Sequence, residues 1–418
     1  MSKSCDEFIQ NMNCLWNLED TLLSILNSEE QTSYEDLNEF FSYLHKIAIQ
    51  DDFSLYEAFL HILAHLTIIC SMTNKKKAQK KISIIYMILD ELILNFSLKD
   101  VFHQSTFFPV LRNNKLLLLH LYEKKVIDLS SIENVIRSQS EPDFFLFFLP
   151  EIQTQDIAFY QKTMKKFLLD EEQVSRHYST DEYNLDLFSE IRKEGHSNSP
   201  IAKIIREDDM DSFLQYVNKF DNINEKIQPS FLEINGDINN KNDNPSFIQY
   251  AMAFGSINIF IYLFIKKANI KPVSCLIGGN PEIIHILEEE SPIKFDVNCI
   301  ILSMICKHYD LAYYLLSNIS LPSFNDLNIL SDFGVKVYSA FFLEKISQSL
   351  LGKFPFETNN NDNDKQKNLD SEIFNMMKIY AFLLSYLHCY LLDSHILTQF
   401  TDRTKEKEIV ISFFLSFF

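Results

Sequence analysis

The sequence predicts an all-α protein: a solenoid of short helical hairpins preceded by an irregular helical region. Three observations lead there. Glycine is scarce, 7 in 418 residues, and proline numbers 11, which argues against sandwiches and dinucleotide-type folds whose turns need glycine. Apolar residues make up 46% of the chain and recur at intervals of three and four, the period of a helix face. Between residues 199 and 317, a short apolar helix, a brief break and a second apolar helix recur.

Residues 1–195 read as a run of amphipathic helices, with expected spans 6–27, 34–49, 53–72, 79–96, 99–111, 113–125, 130–138, 142–149, 154–169 and 181–193. Ser33, ahead of Glu35 and Asp36, and Asp52, ahead of the run at 53, carry side-chain oxygens that accept from the orphan N–H groups of a helix start. Phe144, Phe145, Leu146, Phe147, Phe148 and Leu149 make a strip apolar on every side, which belongs in a core. Pro150 is expected to end that helix. Asn113 and Asn114 precede another apolar helix, and asparagine can take the left-handed conformation in place of glycine.

In 196–330 the hairpins become more regular, most clearly over 244–270. Ser246 can cap a first helix whose Ile248, Ala251 and Met252 share one face. Gly255 stops it, because positive φ there meets no Cβ. Ile257, Phe260, Leu263 and Phe264 give the second helix its apolar side, and Ala268, Asn269 and Ile270 turn away. Upstream, Ser199 and Pro200 open a helix that breaks at Asp208 and Asp209 and resumes to about 220, followed by a polar connection over 221–244 that reads as a long finger. Downstream, breaks fall at Gly278 with Gly279 and at Lys307 with His308.

Residues 246–252 stand where an ankyrin repeat has Thr-Pro-Leu-His-x-Ala-Ala; Phe247 and Gln249 replace its Pro and His. Gly255 is kept, and Lys267, Ala268 and Asn269 stand for Gly-Ala-Asp. Four blocks follow one another in order: Ile204, Ile205, Arg206, Glu207, Asp208 and Asp209; Ala253, Phe254, Gly255, Ser256 and Ile257; Gly278, Gly279, Asn280, Pro281, Glu282, Ile283 and Ile284; Lys307, His308, Tyr309 and Asp310. They resemble a domain of unknown function found beside ankyrin repeats in a very large family of protist proteins. The resemblance covers roughly residues 100 to 330. It implies a fold, a degenerate ankyrin-like solenoid, and no catalytic residues. The chain departs from the family on the C-terminal side, where regular ankyrin repeats are expected and none is found.

Residues 331–418 read as a helical tail: a helix over 335–352, an exposed polar loop over 358–368, and a long helix over 372–397 capped by Asp370 or Ser371. The apolar end, 409–418, can cover the last face of a solenoid, which needs a cap.

Motifs of known chemistry are missing. The sequence has neither a glycine-rich phosphate loop nor a G-x-S-x-G nucleophile elbow. Gly278 and Gly279 precede a helix whose N-terminus can hold an anion, although a tight break between helices explains them as well. Glu57, His61 and His65 share a helix face with ligand types for zinc, but the second position of H-E-x-x-H is Ile62 and the flanks are apolar. His388, Cys389 and His395 rank no higher. Asp362 and Asp364 fail the calcium-loop pattern, with Ile373 where its last glutamate belongs. No catalysis, cofactor or metal is expected.

The net charge of −19 repels phosphate backbones, so nucleic acid is not the expected partner. Lys75, Lys76, Lys77, Lys80 and Lys81 form a basic cluster against that background. It reads as a solvated helix start, with a nuclear-import signal or a lipid-facing patch as the sharper readings. The seven scattered cysteines lack any C-x-x-C and suit a reducing interior, and the N-terminus lacks a secretory core. The expected location is intracellular, in the cytoplasm. The expected function is a protein-interaction scaffold whose partner is another protein. By their place just before each break, Tyr250, Ala253 and Phe254, with Arg206, Glu207 and Ile305, are expected to be exposed and to bind it; Ile277, Gly278 and Cys306 hold equivalent positions. The alternative is a membrane tether through 373–392, about long enough to span a bilayer yet interrupted by Lys378 and His388.

Overall fold

Short polar side chains decide where helices start in this chain. The computed structural model describes residues 2–28, 34–111, 114–218, 222–240, 243–290 and 295–318. Within them Asp52, Asn74, Asn114, Asp128, Asp156, Asp170, Asn184, Asp209 and Asp296 each accept from the backbone N–H three residues on. Each bond satisfies a donor with no intrahelical partner, worth about 1 kcal/mol.

The helices run α1 (Ser2–Asn27), α2 (Tyr34–Lys46), α3 (Phe53–Ser71), α4 (Lys75–Asn95), α5 (Leu98–Val101), α6 (Gln104–Val110) and α7 (Lys115–Glu123). They continue as α8 (Leu129–Ser138), α9 (Asp143–Phe147), α10 (Leu149–Gln155), α11 (Ile157–Lys166), α12 (Glu171–Tyr178), α13 (Leu185–Ile191), α14 (Pro200–Arg206) and α15 (Met210–Val217). The last are α16 (Phe247–Phe254), α17 (Ile257–Ile265), α18 (Val273–Gly278), α19 (Pro281–Glu290), α20 (Val297–Ile305) and α21 (Tyr309–Asn318). Among the described residues the one extended pairing is an antiparallel bridge between Lys226 and Ser246. The described residues are all-α, as expected.

Helix α9 ends at Phe147, ahead of Pro150 as expected, and Pro150 itself sits in the first turn of α10, where its missing N–H has no bond to lose. Two local expectations are corrected. Helix α12 was not expected, because its buried apolar side reduces to Val174 and Tyr178. Asn114 is not left-handed (φ −110°); its side chain caps α7 and also donates to Ala64 O at 2.8 Å. Asn113, Ser33 and everything expected over 331–418, including the membrane tether over 373–392, lie outside the described residues.

Helix ends follow a second local rule. Asp208, Gly255, Gly279 and Lys307 all take positive φ, between 52° and 68°. Ser256 N–H reaches back to Ala251 O at 2.9 Å, Asp209 N–H to Ile204 O at 3.1 Å, and His308 N–H to Ser303 O at 2.8 Å. These are the bonds of a left-handed helix stop. With so little glycine, the chain places Lys125, Leu168, Ser179 and Lys267 in the same conformation, at roughly 1–2 kcal/mol of strain each. Leu168 is also 83% exposed. Leu168→Gly is therefore expected to stabilise the protein by about 0.5–1 kcal/mol, the strain relieved less the added freedom of the unfolded glycine. A thermal melt with the variant at or below wild type refutes this.

Residues 63–294 form one compact unit, and the described residues of 1–62 and 295–418 group separately. In the first, Phe145, Leu146, Phe147 and Phe148 are fully buried, as their all-apolar strip predicts. The buried Arg192 guanidinium donates to Phe147 O at 2.7 Å and clamps both oxygens of Glu151. The expected domain border at 195/196 falls inside this unit, because Gly195 O accepts from Ile234 N–H at 3.0 Å and Arg206 donates to Ser197 O at 2.9 Å. The connection 222–246 is no exposed finger. Its ends pair at the base, where Ile227 N–H meets Pro245 O at 2.9 Å, and Ile227, Phe231, Leu232, Ile234 and Ile238 are buried. Phe231 packs edge-on to Tyr178, with ring centroids 4.8 Å apart.

In the second grouping α1 packs on α2 and α20 on α21. Glu19 and Lys307 form a buried ion pair there. Burial pushes the Glu19 carboxyl up and the Lys307 ammonium down, each against the attraction of the other. One described helix, α3, is long and apolar enough to cross a membrane by length and composition, and 67% of its apolar window is buried inside the protein.

Candidate functional site

Three hairpins, α14–α15, α16–α17 and α18–α19, lie side by side: α16 touches both α14 and α18, and α17 touches both α15 and α19. Polar side chains at the breaks join neighbours. The Asp208 carboxylate accepts from Asn258 N–H and Ile259 N–H, both at 3.0 Å, and so caps α17 from the preceding hairpin. Ser256 Oγ donates to Ile205 O at 2.6 Å. Asn280 accepts from Glu282 N–H at 2.9 Å, capping α19, and donates to Gly255 O at 3.2 Å. That cap occupies the N-terminus considered above for an anion.

The first helices present Arg206 from α14, and Tyr250 and Phe254 from α16. These three expected partner-binding residues do meet, but not as an open row. Tyr250 and Ala253 are buried at 1% and 0% exposure, which corrects the expectation that both are exposed. Ala253 lies under α18, where Gly278 packs on its backbone, and around Tyr250 a segment folds back. Gly195, at φ 70°, turns the chain so that His196 lies edge-on to Phe254, with ring centroids 5.1 Å apart and planes at 82°. Phe254 stacks obliquely on Tyr250 at 4.8 Å and is half-buried. Arg206 donates to the Tyr250 hydroxyl at 3.1 Å, and its guanidinium carbon stands 5.9 Å from the Phe254 ring centroid. Ile277 and Cys306 are also buried, Gly278 and Ile305 half-buried, and Glu207 alone of the six candidates is exposed. Ile305 belongs to the other grouping.

Sequence reasoning missed His196 and Glu233. His196 Nε2 faces Ser71 O at 2.9 Å, and a carbonyl only accepts, so Nε2 carries a proton and donates. Nδ1 faces Glu233 Oε1 at 2.9 Å. Burial alone raises the Glu233 carboxyl, but His196, Arg206 and the Asn235 N–H together hold it below the usual carboxylate range. With Glu233 ionised, both ring nitrogens donate. The imidazole then has no lone pair aimed at a substrate and is not a base in this arrangement. At the rim Glu194 pairs with Lys75 at 2.6 Å and lies 3.8 Å from Arg206; burial raises its carboxyl, and Lys75, Lys203 and Arg206 bring it below its usual range. The apolar residues spread through 227–238 were the available signal that this connection folds back.

Among the described residues no group of three or more His, Cys, Asp or Glu side chains is gathered to hold a metal ion. Comparison with protein-family models, with curated proteins and with solved structures finds no match to this chain.

Proposed function

We propose that this protein is a non-catalytic interaction scaffold, an ankyrin-like stack of helical hairpins whose partner is another protein, related to the protist ankyrin-associated family that its break motifs resemble. The observation that carries this reading is the joining of neighbouring hairpins at their breaks: Asp208 to α17, Ser256 to α14, Asn280 to Gly255. Such stitching makes each hairpin a support for the next, so that stacked units leave a continuous surface for a partner. The polar cluster around His196 is consumed internally and supports rigidity better than chemistry. Cys70, Cys275, Cys299 and Cys306 are buried and form no disulfide among the described residues, in keeping with a reducing compartment.

Binding is expected where Glu207 and the open side of Phe254 reach solvent. The test is affinity capture from cells that express the protein, comparing wild type with Glu207→Arg/Phe254→Ala. A discrete partner set lost from the variant, with unchanged circular dichroism, is the expected result. The same partners retained by a folded variant would remove this surface from the reading.

A further inference from the structure

Helix α4 starts against electrostatic preference. Asn74 caps it, yet its first seven positions hold Lys75, Lys76, Lys77, Lys80 and Lys81, with no acidic residue in the first turn. The positive end of the helix dipole disfavours cations there. The opposite side is fixed in the core by Ala78, Ile84, Ile85, Ile88, Leu89 and Leu92. Lys76, Lys80, Met87 and Leu94 follow at spacings of four, seven and seven, which places them in one line on the outward side, about 27 Å long at the helical rise. Lys76, Lys77 and Lys80 are exposed, Met87 is 41% and Leu94 76% exposed. Of the carboxylates near the helix, Glu194 pairs with Lys75 and Asp90 with His120 and Lys124, while Glu91 accepts from the Asn95 amide and keeps its charge.

We propose that this outward line docks on an anionic bilayer, with Lys76 and Lys80, flanked by the exposed Lys77, among the headgroups and Met87 and Leu94 at the headgroup–acyl boundary. A convex helix face carrying lysines and no arginine suits a diffuse anionic surface. Bidentate recognition of a single phosphate or carboxylate calls for the planar fork of arginine. Two exposed apolar side chains in line with the lysines favour lipid over nucleic acid.

The test is co-sedimentation of the full chain with vesicles of phosphatidylcholine alone and of phosphatidylcholine mixed with phosphatidylserine. Wild type is expected to pellet with the mixed vesicles and to be released by added salt. Lys76→Glu/Lys77→Glu/Lys80→Glu is expected to bind about a hundredfold more weakly, each lysine being worth about a factor of five. The triple variant will fold, because acidic residues suit a helix start. Met87→Ser/Leu94→Ser should weaken binding several-fold. Equal pelleting with both vesicle types, or undiminished pelleting of the triple variant, overturns the proposal and moves any membrane contact elsewhere in the chain. Wild type left in solution by both vesicle types, whether or not it binds polyglutamate, also overturns it.

Discussion

Gly278→Ala is expected to destabilise the protein by about 3 kcal/mol or more and to lower its melting midpoint by roughly 6–12 °C. Gly278 ends α18 at the place where that helix crosses the C-terminal turn of α16. A Cβ there would stand 2.7 Å from both Met252 O and Ala253 O and 3.1 Å from Ala253 C. All three atoms are backbone, so no side-chain tip can swing aside. Relief requires parting α16 from α18, and with them the burial of Ala251, Met252, Cys275 and Leu276, each fully buried. Gly255→Ala makes an informative comparison. The nearest atoms to its added Cβ belong to the Asn280 side chain, the first at 3.3 Å, so the cost is mainly that of positive φ, about 1–2 kcal/mol. Thermal melts by circular dichroism should therefore rank Gly278→Ala well below Gly255→Ala, with wild type highest. Equal midpoints for the two variants would show that the helices do not approach this closely.

The breaks were legible in the sequence because a helix stop is a local event. Asp208, Gly255, Gly279 and Lys307 could be placed from their immediate neighbours, and all four have left-handed backbones. The same holds for Asp52 as a cap. The surroundings of Tyr250 and Phe254 were not legible, because they depend on distant parts of the chain. Glu233 lies 37 residues from His196, and Ser71 lies 125 residues from it. Nothing near Tyr250 announces that such a segment will cover it. Apolar residues at the expected spacing served for the core of α16, where Ile248, Ala251 and Met252 are fully buried. They served less well on the far side of that helix, where burial depends on a connection that the sequence makes polar at both ends and apolar between. Pro150 shows how local this signal is: α9 ends just ahead of it, and the same proline suits the first turn of α10.

Glu233→Ala should cost about 3–5 kcal/mol, the usual penalty for leaving a buried charge without its partner. His196 Nδ1 would lose its acceptor, and the N–H groups of Ser197 and Asn235, at 3.4 and 3.3 Å from the carboxylate, would lose theirs. Hydrogen exchange should then open over 222–246 and 195–199 before the rest of the unit. Acid has a related effect whose sign follows from the depressed folded-state value. A carboxyl held below its unfolded value contributes stability that is complete above the unfolded pKa, about 4.3, and is lost as pH falls through the lower folded value. Urea titrations of wild type should therefore lose stability below about pH 4. Glu194, Asp90 and Asp243 are depressed too and add to the slope, so the diagnostic quantity is a difference. The gap between wild type and Glu233→Gln, wide at neutral pH, should narrow in acid as Glu233 itself takes up a proton. A gap constant from pH 7 to the acid limit would mean that Glu233 is already protonated at neutrality. The cluster would then be held by neutral hydrogen bonds, and the ion pair that ties the connection 222–246 to His196 would have to be abandoned.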